Sequence, residues 1–174
     1  MSLDFKRILC PVDLSPFSLE ALKLGVKVAA SAGASLYVLH VIDNPYDELY
    51  LKSITQADPA LLEFYKREPL RRSRIVAATL EHTEVLVKQF CREAVQSLPK
   101  VRYLVSSGNP FEKILDASED HRIDLIVLAT HGRTGVKRLL IGNVAEKVVR
   151  HASCPVLTVK PRAISRKSKG AGSK

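Results

Sequence analysis

The residues best suited to chemistry in this chain lie where a buried strand gives way, through glycines, to a helix. The run Asp124-Leu-Ile-Val-Leu-Ala129 reads as that strand and Thr130-His131-Gly132-Arg133-Thr134-Gly135 as a polar loop, with Gly142-Asn143-Val144-Ala145 opening the helix. Such a passage presents main-chain N–H groups and the positive end of a helix to an anion, most often a phosphate. Gly132 would let the backbone approach a ligand closely, and its missing Cβ permits unusual dihedrals. His131 and Arg133 could add donors. A second polar loop, Cys10-Pro11-Val12-Asp13-Leu14-Ser15, ends the first apolar run, and there Asp13 could accept from an adenine amino group or a ribose hydroxyl. Taken singly, each has a plainer reading. A glycine can be a turn or a cap, His131 a solvated loop residue, and Asp13 a helper in capping the helix after Ser15. Their convergence on one edge points to an adenine-nucleotide site.

Other chemistries lack their signatures. There is no Gly-x-x-x-x-Gly-Lys-Ser/Thr and no Gly-x-Gly-x-x-Gly after the first strand. No His-Glu-x-x-His, nucleophile elbow or catalytic Cys/His/Asp spacing occurs. Ser106-Ser107-Gly108 reads as a strand-to-helix turn. Cys10, Cys91 and Cys154 have no metal spacing and read as reduced core or near-core residues.

The elements that must position these loops alternate along the chain. Lys6 to Val12 predicts a buried strand. Ser15-Pro16 predicts a helix start, with Leu19, Leu22, Val26 and Ala29/Ala30 at helical spacing and Gly33 as the stop. Leu36 to Ile42 is a second strand. Asp43 to about Pro59 is irregular, with a short helical piece from Pro59 to Arg67. A long helix runs from about Leu70 to Leu98, its stripe formed by Val76, Leu80, Thr83, Val87, Phe90 and Ala94. Val101 to Val105, Asp124 to Ala129 and Val156 to Val159 complete the strands. Between them lie a helix opened by Gly108-Asn109-Pro110 and one from Gly142 to His151. Alternation of this kind predicts a single-domain α/β fold, an open parallel sheet covered by helices on both faces.

Composition bounds the rest. The 174 residues are 46% hydrophobic and 26% charged, enough for one domain with a sizeable core. Five of the nine excess positive charges (Arg162, Arg166, Lys167, Lys169, Lys174) fall after Pro161. Residues 161–174 are therefore expected to be a disordered basic tail, and a nucleic-acid partner is not expected. No secretion-type apolar stretch or membrane span is evident, so a cytoplasmic location without membrane contact is expected.

The motifs Pro11-Val-Asp-Leu-Ser15, Val38-Leu-His-Val41, Gly108-Asn-Pro110 and Ala129-Thr-His-Gly-Arg-Thr-Gly135 resemble those of a universal stress protein of the UspA type. So does the run from Leu140 through Gly142-Asn143-Val144-Ala145-Glu146-Lys147 to Val156. The resemblance covers Lys6 to Lys160 and implies that residues 1–160 form a universal stress protein domain. That fold is a five-stranded parallel sheet, Rossmann-like and of the adenine-nucleotide α-hydrolase-like kind. It also implies a homodimer through the last strand, and ATP, with or without Mg²⁺, as the bound cofactor. By this resemblance Pro11, Val12, Asp13, Val41, Ala129, His131, Gly132, Arg133, Gly142, Asn143, Val144 and Ala145 line the site, and no residue is assigned to catalysis or metal binding.

Nucleotide-binding members carry Gly-x-x-Gly, nine residues, then Gly-Ser/Thr. Here the first glycine is Ala129 and the hydroxyl residue is Asn143. Asparagine can cap a helix and donate its amide to phosphate, but its carbonyl is a poor neighbour for an anion. The expected function is ATP or related adenine-nucleotide binding in stress response or signalling, with ATP hydrolysis slow at most. The alternative is a nucleotide-free dimeric interaction module whose dimer surface and Asp43–Arg74 region meet an unidentified protein partner.

Overall fold

A computed structural model describes residues 4–43, 72–131 and 142–160. Within them the chain alternates β1 (Arg7–Pro11), α1 (Pro16–Ala32), β2 (Ser35–Ile42), α2 (Arg72–Val95), β3 (Val101–Ser107), α3 (Pro110–Asp120), β4 (Leu125–Ala129), α4 (Asn143–His151) and β5 (Val156–Val159). The five strands form one sheet in the order β3-β2-β1-β4-β5, and each neighbouring pair is parallel. The expected helical piece at Pro59–Arg67, most of the Asp43–Arg74 connection and the tail at 161–174 lie outside the described residues.

Burial on both faces explains the continuous apolar strands. Ile8, Leu9 and Cys10 are all fully buried, as β1 occupies the middle of the sheet. Successive side chains alternate faces. Ile8, Cys10, Leu36, Val38 and Val127 join Leu22 and Val26 of α1 and Val87 and Cys91 of α2. Leu9, Tyr37, Leu39, Ile126 and Leu128 join Ile114 of α3 and Ala145 and Val148 of α4 on the other side. The stripe of α2 differs a little from expectation. Thr83 and Val87 are buried as read, but Cys91 and Val95 go deeper than Phe90 and Ala94, which only flank the core.

The ends of α1 follow its sequence closely. Ser15 Oγ accepts from Ser18 N at 3.2 Å, and proline takes the first turn. At the other end Gly33 adopts φ +65°, and Ala34 N–H reaches Ala29 O at 2.9 Å. With Gly33 N–H directed at Ala30 O, this is a Schellman closure, for which glycine is the favoured residue. Asn109 caps α3 through Oδ1, which accepts from Phe111 N at 3.0 Å. Asp124 Oδ2 accepts from both Lys6 N and Arg7 N at 2.8 Å, tying the start of β1 to the residue preceding β4.

Gly25 sets how closely α1 lies on the sheet, since a Cβ there would stand 2.2 Å from Cys10 Sγ. Helix propensity alone would favour alanine by about 1 kcal/mol. Overpacking of a closed core should outweigh that, so Gly25→Ala is expected to destabilise by about 1–3 kcal/mol. Adding Cys10→Ala should return part of the loss. Urea unfolding of the two single variants and the double variant measures this, and a more stable Gly25→Ala protein would contradict the packing account.

Candidate functional site

Strand order reverses between β1 and β4. The chain leaves β1 towards β2 and β3 and returns from β4 towards β5, so α1 and α2 cover one face of the sheet and α3 and α4 the other. A crevice is left at the carboxyl ends of β1 and β4, the position where open α/β sheets bind ligands. It is present as a cleft of about 510 Å³. Pro11, Val12, Asp13, Val41, Ala129, His131, Gly142, Asn143, Val144 and Ala145 all line it. Gly132 and Arg133, the other residues expected at the site, lie outside the described residues.

Each wall has a local cause. Pro11 and Asp13 continue the parity of Leu9, while Val41 continues that of Leu39, so both runs lead to the α3/α4 side. Leu39, Leu128 and Ile114 supply apolar walls, and Pro110 brings in the start of α3. Ser18, Asp43 and Thr130 also line the cleft. None of these seven was singled out from sequence as a site residue. The period-two pattern places Leu39 beside Val41, but the arrival of α3 at this rim depends on how the chain crosses from β3 to β4.

The floor on the β4 side is held by main-chain bonds. Thr130 N donates to Val159 O at 3.0 Å, and Gly142 N donates to Thr130 O at 2.7 Å. A Cβ on Gly142 would lie 3.1 Å from that same carbonyl oxygen. Gly142 has φ −71° and ψ 154°, an ordinary extended conformation. Close approach, not freedom of dihedral, is therefore what favours glycine here. Gly142 is the N-cap of α4 and contributes no side-chain cap, while Asn143 is the first helical residue and is exposed. Asn143 thus does not occupy the N-cap position considered for it, and no side chain caps the helix there. The positive end of α4 opens into the cleft with its early N–H groups, which lack partners within the helix. His131 Nδ1 pairs with Thr130 Oγ1 at 2.9 Å.

On the β1 side the loop is tightly bonded. Asp13 Oδ1 accepts from Ser15 N at 3.1 Å and from Ser15 Oγ, while Asp13 N donates to Ser18 Oγ at 3.3 Å. Asp13 thus lines the cleft and also braces the start of α1, as its capping reading expected.

Thiol chemistry has no support at this site. All three cysteines are free, and Cys10 and Cys91 are buried in the core on the α1/α2 side. Burial pushes the Cys91 thiol up to about 12 and the Cys10 thiol higher still, with the nearby Cys91 adding to the rise at Cys10. Among the described residues, no group of three His, Cys, Asp or Glu could hold a metal ion.

An open parallel α/β sheet with a helix N-terminus at its switch point is an arrangement in which α/β domains place anion sites. Residues 4–160 match the profile of the Universal stress protein family, and the chain belongs to that family. It is 32% identical over 160 residues to Universal stress protein MJ0531 of Methanocaldococcus jannaschii, covering 90% of this chain and 82% of that one. Among solved structures it is similar to universal stress protein UspA from Lactobacillus plantarum, at 28% identity and TM-score 0.66, covering 89% of this chain and 97% of that one. Two more distant structures share the fold. One is a universal stress protein in complex with cAMP (17% identity, TM-score 0.58, 91% of this chain and 99% of that one). The other is an Arabidopsis thaliana family protein with AMP bound (18%, 0.51, 94% and 97%).

The raised thiols carry a pH prediction. Between pH about 9 and 12 the folded protein retains the Cys91 proton while the unfolded chain loses its own, so stability falls as pH rises. The unfolding midpoint should drop across this window, and Cys91→Ala should flatten the drop. An equal slope in both proteins would contradict the assignment.

Proposed function

We propose that this protein binds an adenine nucleotide, ATP foremost, in the cleft between the β1 and β4 loops, and acts in cytoplasmic stress response or signalling through its bound state. The observation that carries this reading is the meeting, in one 510 Å³ cleft, of an uncapped helix N-terminus, close-packed Gly142 and apolar walls. The apolar part suits a base and the amides of Asn143, Val144 and Ala145 suit phosphate, with Asp13 on the cleft wall assigned to accept from the base or ribose. Gly132 and Arg133 are assigned to the phosphate end from sequence. Nucleotides in two fold relatives support the class of ligand.

A Mg²⁺ ion would be held chiefly by the nucleotide's own phosphates and by water, since the described cleft offers the carboxylates of Asp13 and Asp43 and no fuller ligand set. Hydrolysis is expected to be slow or absent. The Oδ1 of Asp13 is engaged by Ser15 and His131 is paired with Thr130, so both side chains already have structural work.

We also propose a homodimer through β5. This strand ends the sheet, and Leu157 and Val149 are exposed apolar residues on β5 and the adjoining α4. Leu157→Glu is expected to shift the protein towards monomer in sedimentation, and an unchanged dimer would exclude β5. The competing reading, a nucleotide-free interaction module, shares this dimer but needs no ligand.

Calorimetric titration with ATP, ADP and AMP separates the two readings, since absence of heat with all three favours the module. Asn143→Ser removes the amide carbonyl beside the phosphate position and adds a hydroxyl donor. It should tighten ATP roughly fivefold more than AMP. An equal effect on both nucleotides would contradict the placement of phosphate at the start of α4.

A further inference from the structure

His40 stands on the face of the sheet opposite the cleft, yet it is bonded to the loop that forms the cleft's β1 wall. It has the parity of Leu36 and Val38, the β2 residues that pack with α1 and α2, and is 2% exposed. Its Nδ1 lies 2.7 Å from Val12 O. A carbonyl oxygen only accepts, so Nδ1 carries the proton and donates. Val12 N in turn donates to Leu39 O at 2.8 Å, so both main-chain polar groups of Val12 are tied to β2.

The next residues need such a tether. Leu14 has φ +62°, a left-handed conformation that costs a residue with a Cβ and is kept only where its surroundings enforce it. Enforcement on the far side of Leu14 comes from Asp13 and Ser15, which bond each other, and from Ser18, whose Oγ accepts from Asp13 N and donates to Ser15 O at 3.0 Å. On the near side it comes from His40. With that donor gone, Val12 O would be a buried acceptor without its partner, and the peptide leading to Asp13 would be free to turn.

We propose that His40 is a positioning residue for the nucleotide site: through Val12 O it holds the left-handed turn at Leu14 and so fixes Asp13 on the cleft wall. This inference rests on the nucleotide reading above and adds a residue that touches no ligand.

Three substitutions in the 174-residue chain test it. Asn at position 40 can place an N–H close to the position of Nδ1, Gln reaches instead towards Nε2, and Leu has no donor. AMP affinity is read by calorimetry, and amide exchange at Asp13 and Ser15 is read without ligand. His40→Gln and His40→Leu should weaken AMP by about tenfold or more and speed exchange at those two amides. His40→Asn should stay within about threefold of the parent protein. Val87→Ala, a core change elsewhere, should lower the melting temperature and leave AMP affinity alone. Should His40→Leu not fold, the Asn/Gln contrast still decides. Parent-like AMP affinity in folded His40→Gln would overturn the positioning role and leave the nucleotide reading intact. An unaltered protein silent to AMP, ADP and ATP would overturn the nucleotide reading, and this inference with it.

Discussion

The arrangement of the site depends on one topological constraint: β1 and β4 are neighbours whose outgoing connections run in opposite directions across the sheet. Parallel strands need crossover connections, and those after β1 and β4 land on opposite faces. The rim between the two strands is therefore left open. Close packing of α1 through Gly25 supports it from one side, and α3 and α4 wall the cleft on the other. Main-chain bonds then set the edges, from Val159 through Thr130 to Gly142 on the β4 side and from β2 to Val12 on the β1 side.

The fold was largely legible because its signals are local. Ser15-Pro16 and Gly33 bracket α1 as their capping chemistry requires, and apolar runs of strand length mark all five strands. The β4-to-α4 part of the site was legible for the same reason, since glycines at a strand-to-helix passage reflect backbone needs. The reason for Gly142 was not. Its dihedrals are ordinary, and the constraint is a carbonyl oxygen 3.1 Å from where a Cβ would stand, a distance only tertiary structure fixes. Leu39, Ile114 and Leu128 were missed as cleft residues because nothing local separates a cleft wall from core. His40 lies within the Val38–Val41 motif, but its bond to a residue 28 positions away has no local signature.

Family membership and the residues of this chain carry different parts of the account. The family gives the fold. The particulars are this chain's own. Ala129 and Asn143 depart from the glycine and the serine or threonine that the family resemblance implies at those two positions. Both line the cleft, and Asn143 is exposed at the first position of α4. On the proposed nucleotide reading, these two positions are where affinity and preference among nucleotides would be set.

Amide chemical shifts recorded during addition of ATP test the central claim most directly. The account predicts that the largest changes fall on Asn143, Val144 and Ala145, followed by Val41 and Asp13, with the amides of β3 undisturbed. Changes confined to the β3 edge, or none at saturating ATP, would contradict it.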